Sequence, residues 1–221
     1  MHVLIPTIVL LLVIFLIVAI VRSERNPISH FYTVETICPE LLTINPSIRR
    51  IQTELSKVHA WKDWPEKFLY PNGSWKIVPI YAFGKWCKPY SDQIPSLTRL
   101  LKKIPGIQTA LFSRMAPYTK LTPHQGWAVL SNRIIRCHLG VDIPGESYVA
   151  VGNERRYHKN GKWFAFDDSR MHYGCNRSGT ERTVLIVDVV RPSTIRKGIS
   201  KVETSDELLG IVKDILEKNE V

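Results

Sequence analysis

Two histidines, His124 in Pro-His-Gln-Gly (123–126) and His172 closing Phe-Asp-Asp-Ser-Arg-Met-His (166–172), are followed ten positions later by Arg182. Imidazoles far apart in sequence but brought together on strand ends can hold a redox-active metal. Guanidinium binds carboxylate in a fork, so an arginine one strand further along can hold a dicarboxylate against that metal. In the stretch 134–141 side chains alternate faces, which puts Arg136, His138 and Gly140 on one side and Ile135, Cys137, Leu139 and Val141 on the other. In 183–190, Val184, Ile186 and Asp188 share the face of Arg182. Two arginines and a histidine aimed inward are tolerated only with an anionic partner. Taken singly, each residue has a plainer reading: a hydrogen-bonded core histidine, an exposed strand arginine, a turn pair at Asp167-Asp168. Their joint order favours the chemical one.

Such groups need short strands to position them. Candidate strands span 110–116, 134–141, 147–151, 163–166 and 183–190, with turn signals at Pro117, Pro144-Gly145, Asn160-Gly161 and Ser178-Gly179. This predicts a mainly β domain, a sandwich or jelly roll with helices flanking one face. Ile48, Ile51, Leu55 and Val58 recur at helical steps across 46–59, predicting an amphipathic helix laid over a sheet. Further helices are expected over 94–103, closed by Pro105-Gly106, and over 205–217, capped by Ser205. The stretch 75–83 reads as a strand broken at Pro79, hence at a sheet edge. The aromatic-rich section 61–90 is where substrate contacts are expected.

The chain has 221 residues and a net charge of +10, enough for one sizeable domain and an appendage. Residues 3–21 are apolar almost throughout and are followed by Arg22, Glu24 and Arg25. At helical rise the run reaches about 28 Å, one hydrocarbon core. It reads as a transmembrane anchor over 1–25 preceding a domain over 26–221. A cleaved signal peptide is the competing reading, but the run exceeds a usual signal core, with no basic segment before it and no clean cleavage site after it. The flanking arginines favour a single-pass membrane protein with a cytoplasmic domain. The sequons at Asn72 and Asn176 would be usable only in a lumen, so the side stays open. The basic balance favours anionic lipid headgroups or acidic peptides as neighbours. No basic run or basic-aromatic interleaving points to nucleic acid. Cys38, Cys87, Cys137 and Cys175 lack zinc-site spacing.

From Leu111 to Pro192 the chain resembles the aspartyl/asparaginyl β-hydroxylases, Fe(II)- and 2-oxoglutarate-dependent oxygenases with a double-stranded β-helix (jelly-roll) fold. The matching pieces are Leu-Phe-Ser at 111–113, Pro-His-Gln-Gly at 123–126, Arg-Cys-His-Leu-Gly at 136–140 and Ile-Pro at 143–144. They continue with Phe-Asp-Asp-Ser at 166–169, His172, Arg182, Val-Asp-Val at 187–189 and Arg191-Pro192. The resemblance implies His124 and His172 as iron ligands, and Ser113, Arg136, His138 and Arg182 as the 2-oxoglutarate pocket. Oxygenases of the wider superfamily carry a carboxylate two residues after the first histidine; here that residue is Gly126, and the resembling branch lacks the carboxylate as well. Water oriented by a neighbouring acceptor is then expected, and Asp168 is the candidate acceptor. The reaction implied is C–H hydroxylation, first of an aspartyl or asparaginyl β-carbon in a peptide or protein, alternatively of a lipid acyl chain. Two other classes stay open. One is a membrane-anchored β-sandwich that binds without catalysing; the other is a zinc hydrolase, which leaves Arg136 and Arg182 without a task.

Overall fold

The computed structural model describes residues 30–207 and a few positions on either side. The expected anchor lies outside the described residues except at isolated positions, and most of the helix expected over 205–217 does too. No helix among the described residues is long and apolar enough to cross a membrane.

The chain runs through β1 (Phe31–Tyr32), α1 (Val34–Ile37), a 3-10 stretch at Pro39–Ser47, α2 (Ile48–Leu55), β2 (Lys62–Asp63), β3 (Trp75–Ala82) and β4 (Lys85–Trp86). It continues with α3 (Lys88–Ser91), α4 (Pro95–Leu101), β5 (Ile107–Met115), α5 (Ala128–Ser131), β6 (Ile134–Asp142), β7 (Ser147–Val151), β8 (Glu154–Tyr157), β9 (Trp163–Phe166), β10 (His172–Asn176) and β11 (Arg182–Val190). The larger sheet has the order β1-β9-β6-β11-β5-β3-β2, with β4 also on β3; a three-stranded sheet has the order β10-β7-β8. Every pairing within these sheets is antiparallel. This is the expected mainly β jelly roll with helices on one face.

Side-chain alternation divides the larger sheet into two unlike faces. Ile135, Cys137 and Leu139 of β6, Leu185, Val187 and Val189 of β11 and Phe112 of β5 join Ile51 and Leu55 of α2 and Leu97 and Leu101 of α4 in one cluster. Each such side chain contributes about 1.5–3 kcal/mol on burial, so this layer carries the stability. On the other face Phe164 and Phe166 of β9 meet Val149 and Val151 of β7 and Phe31 of β1. Arg136, His138 and Arg182 share this inner face, so one sheet supplies both scaffold and site.

Several local expectations change. The helix expected over 46–59 is 3-10 as far as Ser47, with Pro46 inside it, and α-helical only over Ile48–Leu55. Proline lacks the donor that an α-helix interior requires. Pro79 sits close to an edge in an informative way. Beyond β3 the sheet continues only as β2, opposite Lys76 and Ile77, and as β4, opposite Tyr81 and Ala82. Pro79 falls in the gap, beside a register shift against β5. Strands β1, β2, β4, β8 and β10 had no strong apolar alternation and owe their existence to pairing partners. All four cysteines are free thiols. Asn176 is fully buried, its amide donating to the carbonyls of Met115, Ala116 and Thr180, so the second sequon cannot accept a glycan.

Candidate active site

His124 and His172 sit directly opposite each other in an antiparallel bridge. His124 N donates to His172 O at 2.9 Å, and His172 N donates to His124 O at 2.8 Å. Residues opposed in this way project to the same side of the ladder, and the ring centroids are 4.4 Å apart. Each Nδ1 faces a carbonyl two residues back in the chain: Thr122 O at 2.7 Å for His124, Arg170 O at 2.8 Å for His172. A carbonyl can only accept, so each ring carries its proton on Nδ1 and leaves the Nε2 lone pair available. Burial lowers both pKa values, that of His172 strongly, and keeps both rings neutral, as ligation requires.

Asp168 explains Gly126. A Cβ added at Gly126 would lie 1.9 Å from Asp168 Oδ2 and 2.9 Å from Ser131 Cβ. The space in which a carboxylate third ligand would begin is filled by another acid arriving from the far side. Asp168 Oδ1 is 3.4 Å from His172 Nε2 and accepts from Arg136 Nη1 at 2.5 Å. A bare imidazole lone pair beside a carboxylate is a pair of acceptors facing each other, an arrangement that a cation between or beside them stabilises. Arg136 also grips Asp188 bidentately, Nε at 2.8 Å and Nη2 at 2.9 Å. Burial works to discharge the guanidinium, but Asp168 and Asp188 outweigh it and hold its pKa above the ordinary value. Three of its five N–H groups are thus committed within the protein.

The neighbouring strands hold the other expected residues. Arg182 is buried with no carboxylate beside it among the described residues: Nη1 donates to Ser113 O at 3.2 Å and Ser113 Oγ at 3.3 Å, and Nη2 lies 2.6 Å from Met115 Sδ. Burial pushes its pKa down to about 9, which still leaves it charged at neutral pH. Ser113 is held in turn by Trp75 Nε1 at 2.9 Å. Among the described residues the buried side-chain nitrogens left without a partner are Arg182 Nε and His138 Nε2. A buried, unpaired guanidinium between two sheets fits a dicarboxylate as its partner. Sequence reasoning missed His158, which meets His138 Nδ1 at 3.1 Å. That contact forms where the segment after β8 runs beside β6, with Asn160 opposite Gly140, so no local pattern reported it.

Beside His124, Asp168 and Arg136 lies a cavity of about 310 Å3. Its walls include Trp64, Phe68, Leu69, Trp127 and Met171. Trp64 stacks on Trp75 at 4.5 Å and on Trp127 at 5.6 Å, while Trp64 and Trp127 both donate their indole N–H to the buried Glu66. Trp64, Phe68 and Trp75 of the aromatic section thus line this cavity, together with Trp127, which lies outside that section.

Among the described residues no three His, Cys, Asp or Glu side chains form a set able to hold a metal. The chain offers two neutral imidazoles, and a metal there would take its remaining ligands from solvent or from a bound anion. The available lone pairs and the adjacent carboxylate fit a divalent cation of that kind, and the unpaired Arg182 fits a carboxylate ligand.

Residues 45–192 match the family described as aspartyl/asparaginyl beta-hydroxylase. An ornithine lipid ester-linked acyl 2-hydroxylase of Rhizobium tropici is 32% identical over 129 residues, covering 57% of this chain and 45% of the relative. Aspartate beta-hydroxylase domain-containing protein 2 of Xenopus tropicalis is 30% identical over 171 residues, covering 73% and 45%. The human aspartyl/asparaginyl beta-hydroxylase is 31% identical over 130 residues, covering 56% and 17%. The chain therefore spans less than half the length of each of these relatives.

Proposed function

Because the chain belongs to the aspartyl/asparaginyl β-hydroxylase family, we propose that it is an Fe(II)- and 2-oxoglutarate-dependent dioxygenase that hydroxylates an aliphatic C–H bond. The observation that carries this reading is the pair of opposed histidines, each with Nδ1 tied to a carbonyl and Nε2 left to ligate. His124 and His172 would hold iron, and Arg182, Ser113 and His138 would hold 2-oxoglutarate, with Arg136 lending its uncommitted N–H groups. Iron with 2-oxoglutarate supplies the oxidising power, consuming dioxygen and releasing succinate and carbon dioxide. The protein's part is to bind, orient and keep the reacting carbon dry. Asp168, whose Oδ1 is 3.4 Å from His172 Nε2, would accept from a water bound beside that histidine.

Of the two substrate readings, the cavity favours the acyl chain over the aspartyl or asparaginyl side chain. Arg136 is the cation lining it, and Asp168 and Asp188 already hold that guanidinium. An incoming aspartyl carboxylate would meet the Glu66 and Asp168 side chains, with the free N–H groups of Arg136 already given to 2-oxoglutarate, whereas indole, phenyl and thioether walls suit a hydrocarbon chain. The relative from Rhizobium tropici is named for acyl hydroxylation. Residues 3–21, read as a membrane anchor, would keep this cavity near lipid, with residues 26–221 as the catalytic domain on the cytoplasmic side.

The test is anaerobic titration of the full chain in detergent with Fe(II) and 2-oxoglutarate, reading the visible charge-transfer band. A band is expected that vanishes in His172→Ala and weakens in Arg182→Ala. A folded chain giving no band, and no 2-oxoglutarate-dependent iron binding, would sink the reading in favour of a binding module. Mass spectrometry of acyl lipids and of Asp/Asn peptides after turnover then separates the substrates by which of them gains an oxygen atom.

A further inference from the structure

Ser147 opens β7, His158 follows β8, and both are buried. The β7–β8 hairpin brings them together: His158 N donates to Ser147 O at 2.8 Å, and Ser147 Oγ lies 3.0 Å from His158 Nδ1. The other ring nitrogen of His158 is 3.1 Å from His138 Nδ1. The two imidazoles are inclined by only 13° with centroids 5.4 Å apart, so they meet edge to edge, an N–H of one along the lone pair of the other.

Burial first, then His158 and Arg182 beside His138, and Arg182 beside His158, keep both rings neutral. Two N–H protons are therefore distributed over four ring nitrogens, and one of them must lie between the rings. Two polarities satisfy this. In the first, Ser147 Oγ–H donates to His158 Nδ1, His158 Nε2–H donates to His138 Nδ1, and His138 keeps its proton on Nε2. In the second every donor is reversed, and His138 turns a bare Nε2 lone pair inward. Among the described residues Ser147 Oγ has His158 Nδ1 as its hydrogen-bond partner, so only the first polarity uses this buried O–H, and the surroundings of His138 Nε2 agree with it once an anion is bound. His138 Nε2 and Arg182 Nε are both unpartnered, on inward positions of the adjacent strands β6 and β11. A guanidinium selects an anion, and an anion beside Nε2 needs a donor there, not a second lone pair.

We propose that Ser147 and His158 are positioning residues that hold His138 as its Nε2–H tautomer, making it a donor to a carboxylate bound beside Arg182 between the two sheets. The carboxylate half of this inference rests on the 2-oxoglutarate reading above; the tautomer half does not.

The experiment is long-range 1H–15N correlation of histidine rings in the full chain, labelled with 15N-histidine, in detergent and without metal or 2-oxoglutarate. Wild type is expected to show His138 protonated at Nε2 and bare at Nδ1. Ser147→Ala and His158→Phe should shift that ring toward the Nδ1–H form, and Ser147→Thr, which keeps the hydroxyl, should restore the wild-type pattern. By calorimetry with Mn(II) and then 2-oxoglutarate, both disruptive variants should bind 2-oxoglutarate roughly tenfold more weakly or worse, with Mn(II) affinity unchanged, the scale of one hydrogen bond to a charged group. If His158→Phe does not fold, Ser147→Ala decides, because it removes a single hydroxyl and leaves the ring pair in place. His138 found as Nδ1–H in wild type, or a tautomer and affinity unmoved in Ser147→Ala, overturns the inference while leaving the cofactor reading intact. An Nε2–H tautomer in a folded wild type that binds no 2-oxoglutarate upholds the hydrogen-bond chain and overturns both the carboxylate half and the cofactor reading.

Discussion

Gly126 and Arg182 each carry a physical argument that one substitution can test. The Asp168 carboxylate leaves no room for a side chain at 126. Gly126→Asp is therefore expected to displace Asp168, lower iron affinity and destabilise the chain, and not to add a third ligand. Iron titration and thermal unfolding check this, with Gly126→Asp/Asp168→Gly as the pairing that recovers space. Arg182 is a charge buried without a counter-ion among the described residues. Replacing a poorly paired buried charge by an apolar side chain of similar size stabilises by about 1–4 kcal/mol. Arg182→Met should raise the ligand-free unfolding free energy, read from denaturant titration, by that order and abolish binding of 2-oxoglutarate. A variant no more stable than wild type would mean that Ser113 and Met115 already compensate the charge.

At the scale of elements, the segment joining β9 to β10 sets where His172 enters its strand, and Asp167 holds that segment. Its Oδ1 accepts from Ser169 Oγ at 2.6 Å and from Arg191 Nη2 at 2.6 Å, tying the turn to the end of β11. Burial works to raise the Asp167 pKa, but Arg191 and Ser169 outweigh it and hold the carboxyl below its ordinary 3.8. A depressed carboxyl pKa means that the unfolded chain takes up the proton first. The stabilisation is thus fully present above pH 3.8 and is lost as pH falls through the folded value. Asp167→Asn is expected to flatten that acid limb of the stability curve and to lower stability at neutral pH; unfolding followed between pH 2 and 7 reads both. The same segment shows how far local pattern reaches. Phe-Asp-Asp-Ser was legible as a site motif, yet β10 was not legible as a strand. His-Tyr-Gly-Cys-Asn has no apolar alternation, and its geometry comes from pairing with β7.

For the whole molecule, a ligand that bridges the inner faces of both sheets should stabilise the fold as one unit. Bound at about a hundred times its Kd, it contributes about 2.7 kcal/mol. For a chain of this size that is an increase in Tm of roughly 5–10 °C. Mn(II) with 2-oxoglutarate is expected to give such a shift in wild type and not in Arg182→Met. A shift of equal size in both would place the anion elsewhere.

Residue order alone determined which groups could do chemistry and which face of each strand they share, because alternation in a strand is a local rule. It placed His138 and Arg136 on the face opposite Cys137, and Asp188 with Arg182, without knowledge of the partners. The tertiary structure decided what those groups touch. Asp188 and Asp168 take hold of Arg136, Arg182 is left without a counter-ion, Asp168 fills the space at Gly126, and His158 arrives at His138. Each of these contacts joins strands that are neighbours in space and distant in sequence, and hydrogen-bond register across a sheet is a non-local property that no local spacing encodes.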